Sequence, residues 1–84
     1  MKIRLYSVRD HKSGFWPPMQ DVNDAVAQRN FAYLLHNNPT VGFAPMDYDL
    51  YFVGTFDDES GRMEPQKVPQ FVCAAGDVYE KSEG

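Results

Sequence analysis

Asp49-Leu50-Tyr51-Phe52-Val53-Gly54-Thr55-Phe56 (DLYFVGTF) is the stretch whose reading decides the fold. Its residues alternate, with Leu50, Phe52, Gly54 and Phe56 on one face and Tyr51, Val53 and Thr55 on the other. Aromatic and β-branched side chains crowd it, so it reads as a strand. Gly54, which has no side chain to pack, marks a bulge or a close approach by another backbone.

Just downstream, Thr55 to Arg62 reads TFDDESGR, and near the start Val8 to Phe15 reads VRDHKSGF. Both carry Asp-x-x-Ser-Gly after a strand-like run. Asp accepts a hydrogen bond from the N–H two residues on, Ser does so more weakly, and Gly supplies positive φ. A calcium loop would instead alternate its ligands over about twelve residues, whereas Asp57, Asp58 and Glu59 are adjacent and diverge. A phosphate site fails on charge, because the second copy holds three acids and follows no glycine-rich loop. The repeat is expected to be one turn used twice, with no metal bound.

Outward from these turns, Lys2 to Arg9 alternates loosely and reads as a first strand, with Ile3 and Leu5 facing away from Arg4, Tyr6 and Val8. Phe15-Trp16-Pro17-Pro18-Met19 is extended, since two prolines forbid a central strand or a helix. Asp21 or Asn23 caps a helix that runs to about His36, and Asn37-Asn38-Pro39 stops it. Val22, Val26 and Tyr33, widened by Ala27, Phe31, Leu34 and Leu35, form an apolar arc suited to packing across a sheet. Thr40 to Met46 reads as loop. Arg62-Met63-Glu64 returns as a short antiparallel partner before Pro65 ends pairing. Over Val68 to Val78, Pro69 at a first helical position and Gly76 after the last favour one or two helical turns, although Phe71-Val72-Cys73 equally suits a strand. The expected fold is α+β: a small antiparallel sheet of about three strands with one main helix packed across one face. It forms one domain over residues 1–84, with 77–84 a frayed tail.

Composition narrows the function. At 84 residues with 43% hydrophobic content, the chain can bury a core. The single cysteine, Cys73, cannot form an internal disulfide and points to a reducing compartment. No run approaches the roughly 20 apolar residues of a membrane helix, and no signal-like segment precedes the first strand. A cytoplasmic setting is expected. The net charge of -4 divides into +2 over residues 1–36 (five cations, three acids) and -6 over 37–84 (three cations, nine acids). Phosphate is repelled by the whole, so any nucleic-acid contact belongs to the N-terminal half.

Candidates for chemistry are few. His11 and His36 are scattered, no Cys/His spacing suits zinc, and no acid–base pair or nucleophile is set up, so neither enzyme activity nor a cofactor is expected. His36 suits the negative end of the helix dipole, and Asp47 and Asp49 read as a solvated acidic edge. The aromatic residues exceed what the core must use. Rings flanked by Arg or Lys are the usual means of holding single strands, and Tyr6 lies between Arg4 and Val8 with Arg9 and Lys12 beyond. Trp16, beside two prolines, suits either a packed cap or a protein-docking anchor.

These segments carry a resemblance. Tyr6-Ser7-Val8-Arg9-Asp10, Pro17-Pro18 after an aromatic, Ala27-Gln28-Arg29-Asn30-Phe31 and above all Asp47-Tyr48-Asp49-Leu50-Tyr51-Phe52-Val53-Gly54-Thr55-Phe56-Asp57-Asp58 resemble the small nonstructural protein of gokushoviruses. These are icosahedral phages with circular single-stranded DNA, and the likeness spans about residues 3 to 64. It implies a non-enzymatic protein of the infected bacterial cytoplasm, acting in genome replication or packaging, with DNA binding suggested. It carries over no site residues. The residues themselves nominate Arg4, Tyr6, Arg9, Lys12, Trp16 and Arg29 as a single-stranded DNA contact face, cations to phosphates and rings to bases. The alternative is an adaptor docking on a phage or host replication or capsid protein through Trp16. Either reading is compatible with a homo-oligomer.

Overall fold

The structure, a computed structural model, describes residues 1–78. The DLYFVGTF run lies inside strand β4 (Tyr48–Asp57), at the middle of one antiparallel sheet. Strand β1 (Lys2–Asp10) pairs along one side of it and β5 (Met63–Ala74) along the other. Two short strands share the outer edge of β1: β2 (Gly14–Phe15) pairs with Arg9 and Asp10, and β3 (Met19–Asp21) with Arg4 to Tyr6. Trp16-Pro17-Pro18 divides them, as the missing amide donors of two prolines require. The sheet thus has four rows and five strands rather than about three strands.

Helix α1 (Asp24–Asn37) lies across one face of this sheet, which makes the fold α+β. Asn23 is the cap, its Oδ1 accepting the Val26 N–H at 2.8 Å. Ala27, Phe31 and Leu35, four apart, form the buried stripe with Ala32, and they close over Tyr6, Val8, Leu50, Phe52 and Cys73. Val22 and Tyr33 are exposed, so the apolar arc is narrower than the sequence pattern implies. Asn38 ends α1 and opens α2 (Pro39–Phe43). Its N–H bonds to Leu34 O, while its Oδ1 accepts the N–H groups of Thr40 and Val41. Pro39 sits in the first turn of α2, where its missing N–H costs nothing. A short 3-10 turn at Pro45–Asp47 leads into β4, so the expected loop is largely helical.

Two irregularities in β4 set which side chains share a face. Tyr6 pairs with Phe52 but Leu5 pairs with Gly54, leaving Val53 as an extra residue in a bulge. Neighbours on β1 point to opposite faces, so Phe52 looks toward α1 while Gly54 and Phe56 look away from it. The simple alternation of the sequence reading therefore breaks at Val53. Gly54 is also where another backbone comes close: a Cβ built there would lie 2.5 Å from Glu64 O. On β5, Gly54 pairs with Pro65 and Phe52 with Gln70, so residues 66–69 loop outward opposite Val53 alone.

Pro65 does not end pairing and the tail is not a short helix before Ala74. Phe71 pairs with Tyr51 and Cys73 with Leu50, so this stretch is strand, and helical turns begin only at residue 75. Packing decides it: as strand, Cys73 completes the core beneath α1. Of the expected frayed tail, Val78 is buried in the core and residues 79–84 lie outside the described residues.

Candidate nucleic-acid interface

Both copies of Asp-x-x-Ser-Gly are turns. In the first, Asp10 accepts the Lys12 N–H (2.9 Å) and the Ser13 hydroxyl (2.9 Å). In the second, Asp57 accepts the Glu59 N–H (2.9 Å) and Ser60 Oγ the Arg62 N–H (3.3 Å). Gly14 and Gly61 take φ of 123° and 77°, which a side chain would strain. These amide bonds, at Lys12 and Glu59 respectively, hold the Asp10 and Asp57 carboxyls below the ordinary carboxylate range. Among the described residues no group of three or more His, Cys, Asp or Glu is placed to hold a metal ion.

The six residues nominated from the sequence do not meet on one surface. Tyr6 is wholly buried under α1, so no base can stack on it. Its hydroxyl donates to Asp24 Oδ1 (2.5 Å) and accepts from Arg4 Nε (2.7 Å), while Arg4 Nη2 reaches Asp24 Oδ1 at 3.0 Å. The Arg4 guanidinium also lies 4.0 Å over the Phe52 ring. Burial, and then the bond to Asp24, raise the Tyr6 pKa; the Tyr6 hydroxyl, then Arg4, lower that of Asp24. Arg4, Tyr6 and Asp24 form a closed set that fastens α1 to β1, with the cation already engaged.

Trp16 packs edge-on against Tyr48 (5.8 Å between centroids) and joins the core, while its carbonyl accepts the Ser7 hydroxyl at 2.6 Å. It is a cap on the sheet rather than a free docking anchor. Arg29 is exposed on α1, on the helix side of the molecule. Arg9 and Lys12 remain. Arg9 is exposed on the opposite, open face of the sheet, and Lys12 lies in the turn that follows it.

On that open face the structure assembles a row of rings that the sequence reading left scattered. Phe15 of β2, Tyr51 of β4 and Phe71 of β5 stand edge to face, with centroids 5.3 and 5.7 Å apart. The Arg9 guanidinium sits 5.8 Å from the Phe15 centroid. Phe15 is 48% exposed and Phe71 54%, so ring faces and edges meet solvent where a cation is at hand. Phe71 was hidden by the helical reading of its segment, and simple alternation would not have placed it: Phe71 and Cys73, two apart, face opposite sides only because Val72 is an extra residue between those that pair with Tyr51 and Leu50. At the end of the row His11 Nε2 lies 2.6 Å from Asp49 Oδ2, so Asp49 is paired rather than part of a solvated acidic edge. The one thiol, Cys73, is pushed up to about 12 by burial and stays protonated.

The chain matches the Phage ORF5 protein family over residues 3–78, a span that runs from β1 through β5. It belongs to that family. It is accordingly a small phage protein, and every element that builds the core and the open face lies within the matched span. No curated protein and no solved structure matches it.

Proposed function

We propose that this phage protein is a non-enzymatic accessory factor in replication or packaging of a single-stranded DNA genome, and that it binds single-stranded DNA in the cytoplasm of its bacterial host. The likeness to the gokushovirus nonstructural protein supports the setting. One observation carries the binding: the row Phe15–Tyr51–Phe71 on the open sheet face, with Arg9 against its first ring. Unstacked bases lie on such rings, each contact stabilising by about 1–3 kcal/mol, and duplex DNA offers no exposed base faces. Arg9 and Lys12 meet the phosphates. With two cations beside the rings and a net charge of -4, affinity is micromolar or weaker and falls steeply with salt.

The test is a fluorescence-anisotropy titration of a labelled single-stranded oligonucleotide at low and physiological salt, with a duplex of equal length beside it. Salt-sensitive binding that prefers the single strand, and is weakened by Arg9→Ala and by Phe71→Ala, is the expected result. Equal binding to duplex, or none at low salt, overturns the proposal.

A further inference from the structure

The open face is larger than the row of rings. Below Tyr51 it continues through Ile3, Leu5, Val53, Phe56 and Met63, where the Val53 bulge turns Phe56 away from the core. Met63 is 61% exposed. A contiguous apolar sheet face on so small a protein marks an interaction surface. The sheet edges are poor places for it to associate. Pro17-Pro18 interrupts one, and Pro65, Pro69 and the outward loop at residues 66–69 interrupt the other.

The geometry points to a second copy of this chain as the occupant, packed open face to open face. Charge favours it. Arg9 and Asp49 stand opposite each other on this face and Lys12 follows in the turn at its end, while the acidic turn at Asp57, Asp58 and Glu59 lies beyond the other end. Two copies of a protein with net charge -4 thus meet on a surface that carries none of that excess negative charge.

Shape favours it too. Phe71 protrudes at one end, and toward the other lies a recess of about 350 Å³ walled by Pro18 and Pro65 over Leu5, Val53 and Gly54. A two-fold axis lying in the interface across the strands brings the protruding end of each copy over the recessed end of the other. Four rows at about 4.8 Å and some eight residues at about 3.3 Å give a plan area of roughly 500 Å² per copy. The roughly 1,000 Å² for the pair is at the lower limit of a specific interface, so the dimer is weak and exchanges. It covers the rings, and DNA and the second copy therefore compete.

Sedimentation equilibrium of the purified protein from micromolar to about millimolar concentration tests this. A concentration-dependent monomer–dimer equilibrium is expected. Phe71→Glu and Met63→Glu should each weaken association by at least about tenfold, and Tyr33→Glu, at an exposed position of α1 on the other side of the sheet, should leave it unchanged. Circular dichroism of each variant verifies that it is folded. A wild-type monomer throughout, or folded Phe71→Glu and Met63→Glu variants that still dimerise, overturns the inference. Neither readout involves DNA, so failure of the single-stranded DNA reading is separately visible in the oligonucleotide titration.

Discussion

The Tyr6 hydroxyl donates to Asp24 Oδ1 at 2.5 Å, joining the middle of β1 to the first turn of α1. Tyr6→Phe keeps the buried ring against Phe52 but removes this bond and leaves Arg4 Nε without its acceptor. Since Asp24 is half-exposed, the loss is at the modest end for a bond to a charged group, about 1 kcal/mol. Tyr6→Ala also empties the core beneath α1 and should cost about 3–5 kcal/mol, a large share of a small domain's stability. Urea unfolding should rank wild type above Tyr6→Phe, and Tyr6→Phe far above Tyr6→Ala.

The same bond makes stability depend on acid. The Tyr6 hydroxyl, then Arg4, hold the Asp24 carboxyl below its ordinary value of 3.8. A carboxylate depressed in the fold contributes stability that is complete above the unfolded pKa and disappears as pH falls through the folded one. Asp10 and Asp57, depressed by the amides of their turns, act in the same direction. Asp24→Asn should be less stable than wild type at pH 7, by about 0.5 kcal/mol after allowance for solvent screening. The gap should close below pH 3.8. A gap that is constant from pH 7 to 3 contradicts this account.

Much of the fold was legible because local signals and tertiary packing agree. The β4 run, the α1 boundaries and the doubled Asp-x-x-Ser-Gly turn each follow from side-chain chemistry within a few residues. The site was not legible, because it depends on pairing. Tyr6 has the same neighbours in the sequence whether it faces α1 or solvent, and only the position of α1 buries it. Phe71 reaches Tyr51 only when residues 68–74 are strand, and Pro69 argues locally for a helix start. The unpaired residues 66–69 accommodate that proline, and the register shift at Val72 then turns Phe71 to the open face and Cys73 to the core, a compensation no local pattern reveals.

Arg4 and Arg9, five residues apart on one strand, should respond oppositely to substitution. Arg4 is engaged with Tyr6, Asp24 and the Phe52 ring on the helix side. Arg4→Ala should lower stability by about 1 kcal/mol, discounted for its partial exposure, and leave oligonucleotide affinity unchanged. Arg9→Ala should weaken oligonucleotide binding and reduce its salt dependence by about one counterion, with little change in the melting temperature. Anisotropy and thermal melts on the two variants check both halves.

Gly54 follows the Val53 bulge and lies where β5 comes closest to β4. A methyl group there would sit 2.5 Å from Glu64 O and 3.0 Å from the Pro65 Cα, both backbone atoms that cannot turn aside. Gly54→Ala should therefore cost about 1–3 kcal/mol through overpacking. The strain is relieved only by parting β4 from β5 at Pro65. Hydrogen exchange should accordingly rise at the Met63 and Glu64 amides of β5 before it rises at Cys73. Wild-type exchange in that segment would mean the strands tolerate the methyl group.

Cys73 predicts the alkaline limit. Burial lifts its thiol from 9.0 to about 12, and the Tyr6 and Tyr48 hydroxyls are raised from 10.0 chiefly by burial as well. For an acid raised in the fold, the unfolded chain loses its proton first. The stability is complete below pH 9 and is lost as pH rises toward 12. The urea midpoint, followed by the fluorescence of Trp16 against Tyr48, should fall steadily above pH 9. Cys73→Ala removes the thiol's ionisation, so between pH 9 and 10 its midpoint should fall less than that of the wild type, with the steeper decline following as the tyrosines titrate. A disulfide reagent at pH 8 should modify native Cys73 orders of magnitude more slowly than the unfolded chain. Equal rates would place the thiol outside the core and remove the reason for the alkaline limit.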